Sequence, residues 1–384
     1  MTNSFALIGA AIGLGSAKVI NSALLISGKT IIDVCAQEDI PAEFTPIQLN
    51  GGTLIAGFVD LQVNGGGGLL FNNDPSVDTI KAITKAHARL GTCRTLVTLI
   101  SADKDTTTKA IEASIQAAAQ NIPGFLGLHL EGPHLSQTKK GAHSENALRE
   151  MNNEDLTQLC EAKQQLPYLM ITVAPEIVSN KQIARLAEAD IVVSLGHSNA
   201  SAEQSESAFQ HGACCATHLF NAMSPLNHRA PGLPGATLFN DAVYAGIIAD
   251  GVHVSPAALS LAVRSKQGTG KLFLVSDSMA TAGTNQQQFK LDGRTITRTN
   301  GRLELADGTL AGADIDMLSS MRFLIDDVGV LPEVAARMAS SYPSACIGAV
   351  ENLGSLAKGH FANVLHLGDD LQLKQVWLDG TSQL

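Results

Sequence analysis

Four apolar runs in this 384-residue chain each end on a side chain that can bind a metal or move a proton. Residues 125–130 end at Glu131, 191–196 at His197, 213–217 at His218 and 272–276 at Asp277. An unbroken apolar run of this length suits a parallel strand buried on both faces. In a barrel of such strands the carboxyl ends meet at one mouth, where the chemistry is placed. The chain is therefore expected to gather distant strand ends around one site.

The segments between these runs have the period of helices. Residues 77–90, 106–120, 154–166, 179–189, 202–212 and 256–265 read as helices, and 53–60, 94–99, 171–173 and 244–248 as further strands. Eight strands in this alternation fit an α/β fold, a (β/α)8 TIM-type barrel over residues 55–355. Both chain ends look different. Residues 5–8, 19–20, 23–26, 30–34 and 47–49, then 362–367 and 372–378, read as short strands, with Asp379-Gly380 as a hairpin turn. Chain ends often lie close together, so residues 1–54 with 356–384 are expected to form a small β-sandwich domain. Residues 289–309 look like a hairpin inserted after the Asp277 strand.

Composition narrows the function. The formal net charge of −10 argues against nucleic acid or an anionic membrane as a partner. It leaves room for a small anion, since a local pocket can oppose the global sign. Aromatics are only 4% of the chain, so the core must be built from Leu, Ile, Val and Ala. Six cysteines occur with no C-x-x-C pair, and several sit inside apolar runs. They read as buried free thiols in a reducing cytoplasm. The apolar run at residues 5–14 has no Lys or Arg before it and reads as an opening strand rather than a signal peptide. No apolar stretch is long enough to span a bilayer.

Two imidazoles and one carboxylate are a common catalytic zinc set that leaves a position for water. A single strand-end histidine is more often a hydrogen-bonded structural residue; all three on separate strand ends with Asp277 added reverse that balance. Asp277 can pass a proton between a water and a leaving group, cap the following helix, or bind a metal. His129, two residues before Glu131, shares its face. It is expected one layer deeper, as a packing residue. Arg229 lies in a Pro/Gly-rich loop and can take an oxyanion in a fork, or simply stand on the surface. His253 could add a second donor.

These segments in order resemble the N-acetylglucosamine-6-phosphate deacetylases of the amidohydrolase superfamily. The resemblance rests on residues 57–65 (GFVDLQVNG), 129–133 (HLEGP), 140–143 (KGAH), 196–200 (GHSNA), 216–223 (ATHLFNAM), 249–253 (ADGVH) and 275–277 (VSD). It implies hydrolysis of the acetamide of N-acetylglucosamine 6-phosphate. It implies Glu131, His197 and His218 as ligands of one divalent metal per subunit, zinc with iron as the alternative. Asp277 would be the acid/base, and His143 would contact the sugar and polarise the carbonyl. Ala142, Asn221, Ala222, Arg229 and His253, with Leu310, Ala311, Gly312 and Ala313, would hold a phosphorylated N-acetyl amino sugar. A homodimer is implied, with Arg229 reaching the neighbouring site. The alternatives are an N-acetylgalactosamine 6-phosphate deacetylase, another amidohydrolase such as a cyclic-amide hydrolase, or a barrel kept as a non-catalytic scaffold.

Four positions depart from the pattern. Many amidohydrolases carry His-x-His at the end of the first barrel strand; here Gln62 and Asn64 stand there. An amide is a poor substitute for imidazole on zinc, so one metal is expected rather than two. His134 stands where bulky apolar residues are frequent. Asp314 is expected to bring a negative charge near the sugar.

Overall fold

The computed structural model describes residues 4–383. Eight parallel strands form the central sheet in chain order: β1 (Phe58–Val63), β2 (Thr92–Ile100), β3 (Phe125–Glu131), β4 (Tyr168–Val173), β5 (Val192–Leu195), β6 (Cys215–Ala216), β7 (Tyr244–Ile247) and β8 (Leu272–Leu274). Val63 bridges Ser278, the Asn64 N–H donates to the Ser278 carbonyl at 2.9 Å, and the Asp277 N–H donates to the Gln62 carbonyl at 3.1 Å. The chain just past β8 thus closes the barrel against β1. Helices between the strands include α1 (Val77–Arg89), α2 (Lys104–Ala119), α3 (Asn153–Lys163), α4 (Asn180–Glu188), α5 (Ala202–Gln210), α6 (Gly232–Phe239) and α7 (Pro256–Ser265), with α8 (Met317–Asp326) further on. Ser76, Asp103, Asn152, Ser179, Ser201, Ser255 and Asp316 each accept an N–H at the start of a helix. Such caps start each helix soon after its loop and keep the strand ends in register with the mouth.

The expected strand at 53–60 is two strands. Thr53–Ala56 belongs to an outer sheet, where it pairs with Val364–Leu367, and β1 begins only at Phe58. Gly57 makes the crossing, because a Cβ there would collide with the Cys93 side chain. The outer sheet also holds Ala11–Ile12, Leu373–Leu378 and Thr381–Ser382. A second sheet is ordered Thr30–Ala36, Ser22–Ser27, Ser4–Ile8, Thr45–Gln48. Phe5, Leu7, Leu24, Ile26, Leu54, Val364 and Trp377 pack in one core between the two, so both chain ends build the small β unit. The expected strand at 19–20 is only a single bridge from Val19 to Ile12.

The inserted hairpin is a four-stranded antiparallel sheet: β9 (Gln288–Leu291), β10 (Arg294–Thr299), β11 (Arg302–Glu304) and β12 (Leu310–Ala313). All six cysteines are free thiols, and burial pushes Cys93 and Cys214 up to about 12. No helix among the described residues is long and apolar enough to cross a membrane.

Below the mouth, Asp60 ties the two ends of the barrel together. Its carboxylate accepts from the Gln62 N–H at 3.1 Å and the Ser276 N–H at 3.1 Å. Burial pushes its carboxyl up to about 7 against those bonds. The folded value lies above the unfolded one, so this group's stabilising contribution is full below about pH 4 and is lost as pH rises through about 7. Replacing it by an amide that cannot ionise removes that slope. Asp60→Asn is expected to flatten the fall in unfolding free energy between pH 5 and pH 8, a fall on the order of a few kcal/mol in the native chain, read from urea titrations. An unchanged slope would show that Asp60 does not carry it.

Candidate metal centre and active-site cavity

Glu131, His197, His218 and Asp277 are all buried and all reach the same space. The strands deliver them there. In β3, Glu131 stands level with Ile100 and Thr172, and His129 one step lower is level with Thr98 and Met170. His129 is near the Leu61 carbonyl at 3.0 Å and the Thr172 hydroxyl at 2.8 Å, and burial lowers it to about 4. It packs inside the barrel, as expected. His197, His218 and Asp277 adopt positive φ values of 46°, 30° and 47°. Non-glycine residues held in this region cost energy and cluster at functional sites.

Glu131 is the hub. Its Oε1 lies 2.9 Å from His218 Nε2 and 3.3 Å from His197 Nε2, and those two nitrogens are 3.0 Å apart. A tetrahedral zinc with ligands near 2.0–2.1 Å has edges of about 3.3 Å, so the triangle matches one ligand face. His197 Nδ1 lies 2.9 Å from the Lys139 carbonyl. That acceptor fixes the ring proton on Nδ1 and leaves the Nε2 lone pair free for a metal. His218 Nδ1 is buried without a partner. Burial alone would raise Glu131, but the two histidines hold it well below the usual carboxylate range. Glu131, in turn, outweighs burial and raises His218. His143 is the rival third ligand, since its ring, His197 and Glu131 also place ligand atoms within 4.8 Å of one another. Its Nε2 is 3.7 Å from Glu131 Oε2, longer than any edge of the first triangle.

Gln62 and Asn64 explain what stands at the other positions. Gln62 Nε2 donates to Glu131 Oε1 at 2.9 Å and to Asp277 Oδ1 at 3.1 Å, and Asn64 Nδ2 donates to Asp277 Oδ1 at 2.8 Å. Hydrogens therefore point where a second ion would need lone pairs. Burial, then the Glu131 charge, push Asp277 up to about 6. His143 Nδ1 lies 2.8 Å from the Ser101 hydroxyl, which also reaches the Glu131 carbonyl at 3.2 Å. Burial, then the neighbouring His197, hold His143 well below its usual value, so it is neutral. Ser101 has one hydrogen for two acceptors: given to the Glu131 carbonyl it leaves the ring proton on Nδ1, and turned to Nδ1 it places the ring proton on Nε2.

The cavity has a volume of about 390 Å³. It is also lined by Ala142, Asn221, Ala222, His253, Leu310, Ala311 and Gly312. Ala313 is not there; it lines a separate cavity, while its N–H donates to the Asp277 carbonyl at 2.9 Å. Arg229 is exposed on its loop and does not line the cavity within one chain. Asp314 is a further correction. It pairs with Arg298 at 2.6 Å and faces a separate cavity behind β12, so it adds no charge beside the site. His134 is packed under the loop, 3.0 Å from the Arg149 carbonyl, with burial lowering it to about 4. Sequence reading missed Asp250, whose carboxylate holds His253 Nδ1 at 2.6 Å; the Asp-x-x-His spacing was its signal. It also missed Ser101 and the apolar wall of Ile100, Met279 and Leu291, which no local motif marks.

The amidohydrolase family profile matches residues 53–382. An N-acetylgalactosamine-6-phosphate deacetylase of Shewanella sp. (strain ANA-3) is 39% identical over 345 residues, covering 89% of this chain and 86% of that one. An N-acetylglucosamine-6-phosphate deacetylase of Haemophilus influenzae is 37% identical over 345 residues, covering 89% of each. The crystal structure of N-acetylglucosamine-6-phosphate deacetylase from Pasteurella multocida superposes with a TM-score of 0.94 at 36% identity, covering 99% of both chains.

Gly132, directly after Glu131, has φ of +89°, and a Cβ there would run into the Ser101 hydroxyl and Leu135. Gly132→Ala is expected to destabilise the fold by about 1–3 kcal/mol from backbone strain alone, read as a lower urea midpoint. Wild-type stability in this variant would contradict the geometry described for the Glu131 turn.

Proposed function

The chain belongs to the amidohydrolase family, and from that premise we propose that it hydrolyses the acetamide of N-acetylglucosamine 6-phosphate to glucosamine 6-phosphate and acetate. The convergence of His197 Nε2, His218 Nε2 and Glu131 Oε1 beside Asp277 carries this reading. These three residues would hold one divalent ion, with zinc favoured by the two imidazoles and iron as the alternative. A bound ion supplies Lewis-acid polarisation of the carbonyl and makes a water more acidic.

The chain's own residues do the rest. Gln62 and Asn64 both engage Asp277 Oδ1, which leaves Oδ2 to take the proton from the attacking water. Asp277 then returns that proton to the departing nitrogen as its bond to the acetyl carbon breaks. In the tautomer with its proton on Nε2, reached when Ser101 turns its hydrogen to Nδ1, His143 donates to the carbonyl oxygen as negative charge develops there. Asn221, Ala222 and His253 line the far part of the cavity. They suit the sugar phosphate, with Asp250 orienting His253. Leu310, Ala311 and Gly312 form the wall against the sugar.

Arg229 would complete the phosphate site of a second copy. It stands on a Pro/Gly loop with Leu226 51% exposed, and α6 ends nearby in sequence at Phe239, 86% exposed. Apolar groups so open suit burial against another subunit. We place the division between the small β domain and the barrel at Gly57 rather than after residue 54, because Thr53–Ala56 pairs in the outer sheet.

The galacto epimer is the second reading, because one relative of 39% identity is named for it. Acetate release from both 6-phosphates, at equal concentration, decides between them. Faster release from the galacto substrate would reverse the preference, and none from either would reject the reading. Asp277→Asn is expected to lower kcat by about 10²–10⁴-fold with metal retained. Near-wild-type turnover would contradict its role. Mixed dimers of Arg229→Ala and Asp277→Asn subunits test the shared site. One of their two sites would carry both intact residues, so a random mixture should recover about a quarter of full activity. No recovery would place Arg229 within its own chain's site, and full activity of Arg229→Ala alone would place it outside any site.

A further inference from the structure

We propose that Arg294, in the inserted sheet, is a positioning residue for the loop that carries His143. The proposal rests on the deacetylase reading above. Arg294 opens β10 after a tight turn in which Asp292 and Gly293 have φ of 50° and 75°, and it pairs in register with Leu291. Its guanidinium Nη2 donates to the Ala142 carbonyl at 2.6 Å, across 152 positions of sequence. A charged donor on a carbonyl is among the stronger hydrogen bonds. Its ion pair with Asp292 is longer, 3.6 Å, with both side chains 36% exposed. Such a pair contributes little, so the carbonyl is the contact that matters.

The rest of the loop is held by the site itself. The Lys139 carbonyl faces His197 Nδ1 at 2.9 Å, and the Lys140 carbonyl accepts from the His143 N–H at 3.1 Å. That N–H shares a peptide plane with the Ala142 carbonyl, so the plane that sets the start of His143 is held by Lys140 at one end and by Arg294 at the other. Arg294 holds it from outside the barrel. The hairpin is itself anchored, since Asn73 Nδ2 donates to the Lys290 carbonyl at 2.7 Å. Ala142 packs against the apolar cluster that includes Leu291, and both line the cavity. Two contacts thus join the hairpin to the loop, one polar and one apolar. Arg294 itself does not line the cavity, so its effect on the reaction passes through His143.

The test compares Arg294→Ala, Arg294→Lys and Arg302→Ala, the last an exposed arginine of the same sheet. Steady-state acetate release is read with metal content, melting temperature and hydrogen exchange of residues 137–147. Arg294→Ala is expected to lower kcat roughly 10- to 100-fold, as a misplaced group does, with KM changed far less. Exchange in the loop should rise while metal content and melting temperature stay near wild type. Arg294→Lys, which can still donate one hydrogen bond, should recover part of kcat, and Arg302→Ala should behave as wild type. In a His143→Ala background Arg294→Ala should cause no further loss, because two residues acting as one unit are not additive. Full additivity, or a kcat loss matched by a fall in melting temperature, would overturn the proposal. So would wild-type exchange in the loop. The exchange readout needs no substrate, so it separates failure of this proposal from failure of the deacetylase reading.

Discussion

The site depends on one buried carboxylate oxygen, Glu131 Oε1, on which His218, His197 and Gln62 converge. A buried charge is costly unless paired and hydrogen-bonded. Glu131 stays ionised only because its neighbours face it closely. The same charge raises His218 and pushes up Asp277 on opposite sides. One group therefore sets the electrostatics of the whole mouth, and the barrel's parallel register is what brings its partners within reach.

A second constraint follows from the first strand. Where imidazoles would supply lone pairs, Gln62 and Asn64 supply hydrogens. These tie Asp277 to Glu131 and to the closure of the barrel. In the proposed reading the amides would keep the proton-carrying carboxylate beside a single ion rather than between two. Farther out, the loop of residues 136–143 is stitched to the site through His197, Ser101 and Arg294. The inserted sheet is in this sense part of the active site, although none of its charged side chains enters the cavity.

Much of this was legible in the sequence. The eight-strand barrel, the outer sheets built from both ends and the inward step of His129 all follow from apolar periodicity and from residue parity along a strand. The gathering of Glu131, His197, His218 and Asp277 was legible because each ends an apolar run. What was not legible depended on which face a strand presents. Ala313 and Asp314 follow straight after Gly312, yet both line a separate cavity, and Asp314 is spent on Arg298. The split at Gly57 was hidden because both halves are apolar and only the close approach of Cys93 demands a glycine there. Asp250 had a local signal in its Asp-x-x-His spacing, whereas Ser101 and Arg294 act through contacts between distant segments that no local composition announces.

The central claim is that one ion held by Glu131, His197 and His218 supports amide hydrolysis. It is tested most directly by titrating zinc into metal-stripped protein while following acetate release from N-acetylglucosamine 6-phosphate. Activity should be absent without metal and should saturate at one equivalent per chain. Full activity in the stripped protein, or saturation only at two equivalents, would contradict it.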